Sequence, residues 1–281
     1  MKLRNLLLTG LCGIILGATS CGGEVSKELT TEGVIVVGME CAYPPFNWTE
    51  TQKSDTNIPI ANISGAYAQG YDVQVARIIA DELDLELKVK ALSWGALINN
   101  LNSGLIDVII AGMSPTEDRL ESIDFTTSYY ESTHVMLLKK TSKYASASTL
   151  EDFAGAEVIG QTNTIYAALV DQVVAKGGVA GNNLETVPLI VNAIIQDDVD
   201  ATIVEEPVAK GIITQYPDLT YVKFSEGGFV VADKDRIVSI GVRKGFVLTD
   251  EINEILNNVI TDEVRTTLMD AAIANAPASE E

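Results

Sequence analysis

The chain has 281 residues, 47% of them apolar, and its 39 acidic against 19 basic residues give a formal charge of -20. That length supports two hydrophobic cores of ordinary domain size, and the apolar share excludes a disordered chain. The acidic excess excludes a nucleic-acid partner, whose phosphates it repels, and favours small cationic solutes.

The N-terminus reads as an address. Lys2 and Arg4 precede an uncharged apolar run over residues 6–16, and Ala18-Thr19-Ser20 lead into Cys21-Gly22-Gly23. Basic, apolar and small-residue regions in that order make a secretory signal peptide. The segment also resembles a bacterial lipoprotein signal, with Ala18 standing where leucine is usual. That resemblance implies a signal peptide over 1–20, lipidation of Cys21, a tether over 21–33, and a protein held at the membrane outside the cytoplasm. An uncleaved anchor is the alternative. The Gly, Ser and Thr content of the segment's second half opposes it, because it makes a poor spanning helix.

Residues 34–39 are a short apolar run that reads as a buried strand. Residues 47–70, rich in Thr, Asn, Ser, Gly and Asp, read as a long loop. Over 71–83, Val73, Ala76, Ile79, Ala80 and Leu83 share one helical face. Residues 86–92 alternate as a strand, 94–102 read as helix and 107–111 as strand. This order argues for parallel sheet covered by helices. His134 falls in THVMLLKK, a crossing strand in which the histidine is structural. A second series follows, with strand 157–160, helices 164–174 and 189–196, and strand 200–204. The next helix starts at Pro207, whose missing N–H costs nothing in a first turn. A strand over 237–242 and a helix over 249–260, capped by Thr249, complete the pattern.

The two series share one unit. LINNLNSGLIDVIIA at 97–111 and NAIIQDDVDATIVEE at 192–206 both run helix, tight turn, Asp, apolar strand. Each strand ends at a polar stretch, 112–116 in one case and Glu205-Glu206 in the other. Ligands of open α/β sheets bind beyond the carboxyl ends of strands, so two such ends facing each other predict a cleft. No metal or cofactor is expected. Cys12 and Cys21 lie in the leader region, and His134 is the single histidine, so no ligand cluster forms. Cys41 reads as a buried structural thiol, with a redox-sensitive thiol as the alternative.

Several ordered blocks carry a family resemblance. Glu40-Cys41-Ala42-Tyr43-Pro44-Pro45-Phe46, Gly70-Tyr71-Asp72 and Ser93-Trp94-Gly95-Ala96-Leu97 resemble the bacterial extracellular solute-binding proteins of family three. Residues 111–119 (AGMSPTEDR), Ile123-Asp124-Phe125-Thr126, Tyr129-Tyr130, Gln161-Thr162-Asn163-Thr164 and Glu205-Glu206-Pro207-Val208-Ala209 continue the pattern. The resemblance implies a type II periplasmic-binding-protein-like α/β fold, two lobes joined by two crossing hinge strands. One lobe is expected over 34–130 and 234–281, the other over 131–233 with the hinge strands at its borders. It implies a monomer that delivers a polar amino acid to the permease of an ATP-binding cassette importer. The chain departs from the family in a longer 48–70 loop and in lacking the usual C-terminal Gly-x-Tyr and aromatic pair.

The resemblance also implies a site. Arg119 is its carboxylate partner, since a guanidinium fork grips both oxygens at once. Ser114 and the backbone N–H groups around Gly112 and Met113 add donors at the start of a short helix whose dipole favours an anion. Read by itself, Arg119 in EDRLE is a solvated helix charge. Glu205 is implied as the receiver of the α-ammonium, with Glu206 turned to solvent or the hinge. Thr164 is implied as a hydroxyl or backbone donor to the carboxylate, after Asn163 in place of a frequent glycine; asparagine tolerates the left-handed backbone. Tyr43 and Trp94 correspond to aromatics that sandwich the ligand side chain, though as isolated positions they read as core. Glu40 corresponds to the acid that meets a distal cation. Two aromatic faces and a carboxylate suit arginine, lysine or ornithine, with histidine, cystine and glutamine as other polar ligands. A cyclohexadienyl-dehydratase-like enzyme and a sensing or adhesive surface protein are the competing readings; the sequence shows no independent acid/base constellation for the former.

Overall fold

The computed structural model describes residues 27–277; the leader and Cys21 lie outside them. Two five-stranded sheets organise the chain. The first runs Glu86–Ala91, Val34–Met39, Val108–Ile109, Ile237–Val242, Asp124–Glu131 across its width. The second runs Val179–Ala180, Glu157–Ile159, Ala201–Glu205, His134–Lys139, Leu219–Val222. The strand Val34–Met39 is buried at every position, as a strand flanked on both sides and covered on both faces must be.

Both sheets are mixed, which corrects the expectation of parallel sheet. Val34–Met39 is parallel to Glu86–Ala91 and to Val108–Ile109, but Ile237–Val242 is antiparallel to both of its neighbours. In the second sheet His134–Lys139 is antiparallel on each side. The reason is connectivity. The chain leaves the first sheet through Asp124–Glu131, builds the second, and returns, so each crossing brings in a strand of reversed direction. The two crossings lie side by side: Ile237 pairs with Glu131, and the Ser132 N–H donates to the Arg236 carbonyl at 3.1 Å.

The repeated helix–turn–Asp–strand unit has a structural cause. The Asp107 N–H donates to the Val36 carbonyl at 2.8 Å, and Asp107 Oδ2 accepts the Val36 N–H at 2.9 Å. In the second sheet the Asp200 N–H donates to the Glu157 carbonyl at 2.9 Å, and Asp200 Oδ2 accepts the Glu157 N–H at 2.8 Å. The same aspartate therefore sets the register of the neighbouring strand in each half. Asp107 also forms a buried ion pair with Arg243 at 3.3 Å.

The expected loop over 47–70 instead holds three strands, Asn47–Glu50, Tyr67–Gln69 and Ile58–Pro59, which form a small antiparallel sheet with Ala42–Tyr43. Strands of two to four residues, set among turns rich in Thr, Asn, Ser and Gly, give too little alternation to register as strands. Thr249 does not cap its helix, which spans Thr249–Asn258 with Leu248 at the cap; the Thr249 hydroxyl donates to the Phe246 carbonyl at 2.7 Å. The C-terminal helix Asp262–Asn275 packs on Tyr71–Glu82 beside the first sheet and on Glu206–Gln215 beside the second. Among the described residues no helix is long and apolar enough to cross a membrane.

Candidate functional site

Residues from both halves converge where the two repeated strands end. Beyond Val108–Ile109, Gly112 adopts φ 63° and lies against the Tyr43 ring; a Cβ there would meet Tyr43 Cε1 at 3.3 Å. Beyond Ala201–Thr202 the other strand closes on Glu205, its last residue, 3% exposed. The Tyr43 hydroxyl donates to Glu205 Oε2, and the Tyr166 hydroxyl interacts with the same carboxyl. Burial raises the Glu205 pKa, and the two tyrosines oppose that rise by favouring the charged form. The strand-terminal acid is thus a buried group satisfied by hydroxyls, with no cation within ion-pair distance among the described residues.

Arg119 stands in the short helix Glu117–Ser122. Its Nη1 donates to the Ser114 carbonyl at 2.8 Å and its Nη2 to the Asn163 carbonyl of the opposite half at 3.3 Å. The guanidinium lies 5.1 Å from the Trp94 ring centroid, and Trp94 Nε1 donates to the same Asn163 carbonyl at 2.8 Å. Burial lowers the Arg119 pKa to about 10. Among the described residues no carboxylate pairs with it. A desolvated guanidinium held only by carbonyls is poised for an anion.

At the other end, Glu40 follows the strand Val34–Met39. Gln161 Nε2 donates to both of its carboxyl oxygens at 3.1 Å and to the Glu185 carbonyl at 3.0 Å. Burial pushes the Glu40 pKa up to about 7, against the hydrogen bond from Gln161. Thr164 caps the helix Ile165–Val174: its hydroxyl accepts the Tyr166 N–H at 3.2 Å and donates to the Gln161 carbonyl at 2.7 Å, so that oxygen is engaged in the fold. Asn163 has φ 62°, the left-handed conformation its side chain tolerates. Ser114 is buried with its hydroxyl on the Asp235 carbonyl, and Met113 is buried with its carbonyl accepting the Ser239 N–H.

Glu40, Tyr43, Trp94, Gly112, Ser114, Arg119, Thr164 and Tyr166 line one cavity of about 20 Å3, room for one water. Met113 lies behind it. An amino acid fits between these walls only if the two halves separate.

Residues 35–271 match the bacterial extracellular solute-binding proteins, family 3. The chain belongs to this family. The arginine-binding extracellular protein ArtP of Bacillus subtilis is 28% identical over 262 residues, 92% of this chain and 93% of ArtP. A probable histidine-binding protein of Campylobacter jejuni is 27% identical over 231 residues, 81% of this chain and 83% of that protein. In fold, the structure resembles the amino acid ABC transporter substrate-binding protein AbpA of Streptococcus pneumoniae, bound to L-arginine. The TM-score is 0.72 at 23% identity, covering 88% of this chain and 97% of that one. The fold is therefore that of the type II periplasmic amino-acid-binding proteins. Membership of this family, whose curated relatives are solute-binding proteins of ABC importers rather than enzymes, places the chain outside the cytoplasm.

For a member of this family the structure adds residues that the sequence did not single out. Gln161 stood inside a matched block but its side chain had no assigned partner. Tyr166 reads as one more helical residue, yet its place two residues after the Thr164 cap turns it towards Glu205. His134, expected to be structural, packs against Tyr166 at 5.7 Å between ring centroids, and burial beside Arg236 lowers its pKa to about 4. Cys41 is buried, and burial with the nearby acids Asp72 and Glu40 pushes its thiol up to about 12, away from the reactive thiolate. Glu206 turns to the hinge side, pairing with Lys210 at 2.9 Å and with Lys223.

Proposed function

We propose that this chain captures a basic amino acid, arginine, lysine or ornithine, outside the cytoplasm and delivers it to the permease of an ABC importer. The observation that carries this reading is the set of charges at one cavity: Arg119 with no carboxylate and Glu40 with no cation line it, and the buried Glu205 lies behind its lining residues Tyr43 and Tyr166. A free amino acid with a cationic side chain supplies a complement to each. Its carboxylate would meet the Arg119 fork, its ammonium Glu205, and its distal cation Glu40, with Trp94 and Tyr43 beside the aliphatic stem. Ser114 and Thr164 would add donors by releasing the Asp235 carbonyl from the Ser114 hydroxyl and the Gln161 carbonyl from the Thr164 N–H, whereas the Gly112 N–H is held by the Tyr129 hydroxyl at 3.1 Å. The arginine ligands named for ArtP and AbpA agree with this assignment.

Closure supplies the mechanism. Residues of the first half would bind first, and Glu205, Tyr166 and the 161–164 loop would engage as the lobes shut, so the closed state is favoured by contacts that the open state lacks. A monomer tethered through a lipidated Cys21 suits delivery to a membrane permease. The test is a thermal-shift screen of the purified protein against the common amino acids, ornithine and cystine. Ligand that binds only the native state raises its stability by RT ln(1 + [L]/Kd), so selective binding moves the melting point. The expected result is a shift with arginine, lysine or ornithine. A shift only with glutamine, histidine or cystine overturns the basic-ligand reading and keeps amino-acid capture. Product formed from prephenate or arogenate would move the chain to the dehydratases.

A further inference from the structure

We propose that Gln161 is a positioning residue that fixes the Glu40 carboxylate and thereby makes the cleft select cationic over neutral polar side chains. This rests on the reading of Glu40 as the group that meets the ligand's distal end. Gln161 is 3% exposed, and its amide is held from behind by the Glu185 carbonyl at 3.0 Å. With that hydrogen committed, the amide's other one is shared between the two Glu40 oxygens, each at 3.1 Å. The donor is therefore mounted on the second lobe and aimed at an acid of the first.

Its chemical effect follows from the type of donor. A carboxylate offers about four lone-pair sites, so a donor shared between both oxygens leaves the outer pairs open to a guanidinium or ammonium. The amide also favours the charged form of Glu40 against burial, which works the other way. Charged Glu40 accepts from a cation, whereas protonated Glu40 is a donor that suits the carbonyl of a neutral amide side chain. Gln161 thus favours the form of Glu40 that discriminates.

The groups facing Glu40 make this donor decisive. Cys41 is adjacent on its own strand end. Tyr43, Tyr166 and Arg119 share its cavity, and Glu185 lines the groove outside it. None of the basic residues described here forms an ion pair with Glu40, so the amide is its stabilising donor.

The experiment has two arms on the purified protein and its Gln161→Met and Gln161→Leu variants, each checked for folding by thermal denaturation. In the first arm, the Glu40 carboxyl is titrated by 13C NMR without ligand; its midpoint should rise in both variants. In the second, calorimetric affinities for arginine and glutamine are measured from pH 5.5 to 8.5. A hydrogen bond to a charged group contributes enough that arginine affinity at pH 7 should fall about tenfold, with glutamine affinity changing less than about threefold. The pH midpoint of arginine binding should move upward. An unchanged Glu40 midpoint, or equal losses for both ligands with an unmoved pH profile, overturns the proposal and leaves Gln161 as a closing contact. Glu40→Gln separates the two levels: if it leaves the arginine-over-glutamine preference intact, the placement of Glu40 at the ligand is wrong, whatever Gln161 does.

Discussion

Replacing Arg119 with alanine separates a binding residue from a structural one. In the unliganded protein Arg119 makes two hydrogen bonds to carbonyls, at 2.8 and 3.3 Å, and one contact with Trp94. The bonds, from a charged donor, contribute about 1.5–3 kcal/mol each and the ring contact about 0.5–1 kcal/mol. Against these stands the desolvation of a guanidinium with no carboxylate partner, which costs several kcal/mol. The sum is near zero, so the melting point should move by less than about 5 °C, given about 2–4 °C per kcal/mol for chains of this size. With ligand bound the same guanidinium would hold a carboxylate, and truncating one partner of a buried charge pair costs about 2–5 kcal/mol. Affinity should therefore fall between about 30-fold and several thousand-fold. Calorimetry with arginine and denaturation without it, run on the same preparation, read the two quantities. Arg119→Lys should lie between, since an ammonium keeps the charge and loses the fork. An affinity within about threefold of the parent, or a melting point lowered by more than about 10 °C, would refute the reasoning.

Acid should stabilise the unliganded protein. Burial raises Glu40 from 4.5 and Asp72 from 3.8 to about 7, so the native state binds more protons than the unfolded chain above those ordinary values. Their stabilisation is full at low pH and is lost as pH rises through about 7, with Glu205 acting in the same direction. His134, depressed from 6.5 to about 4, acts oppositely as a single group. The melting point should fall from pH 5.5 to 7.5, and Asp72→Asn should flatten that slope; a rise across this range contradicts the assignment. Gly112→Ala places a side chain at φ 63° against Tyr43, and a left-handed non-glycine residue costs about 1–3 kcal/mol. Chemical denaturation should show that loss; an unchanged midpoint would mean the loop relaxes freely. Asp107→Ala removes one partner of a buried ion pair with Arg243 and the acceptor of the Val36 N–H, for a loss of about 3–5 kcal/mol. A loss below about 1 kcal/mol would show that Asp107 does not set the strand register.

The sequence by itself determined the elements whose signal is local. An apolar run bounded by polar residues marks Val34–Met39 and Ile237–Val242 as strands, a one-sided apolar face marks the helix after Gly70, and a proline in a first turn marks the helix at Pro207. Repetition of one helix–turn–Asp–strand unit located two strand ends; beyond the first, Gly112, Ser114 and Arg119 line one cavity, and at the second Glu205 hydrogen-bonds the lining residue Tyr43. Strand direction was not legible, because polarity within a sheet is set by where the chain re-enters it, after more than a hundred intervening residues. The short strands of 47–70 escaped for a related reason: two to four residues hold too little periodicity, and cross-strand pairing is what makes them strands. The partners of charged groups were also decided only in three dimensions. Thr164 looked like a donor to the ligand and is a helix cap, Gln161 stood in a matched block without a partner and hydrogen-bonds Glu40 from the other half, and Arg119 by itself looked like a solvated charge and lies half-buried against Trp94. Sequence fixes which groups are available within a few residues of one another. Which of them meet, and how much water is left between them, depends on two sheets closing on each other, and that closure sets their protonation as well.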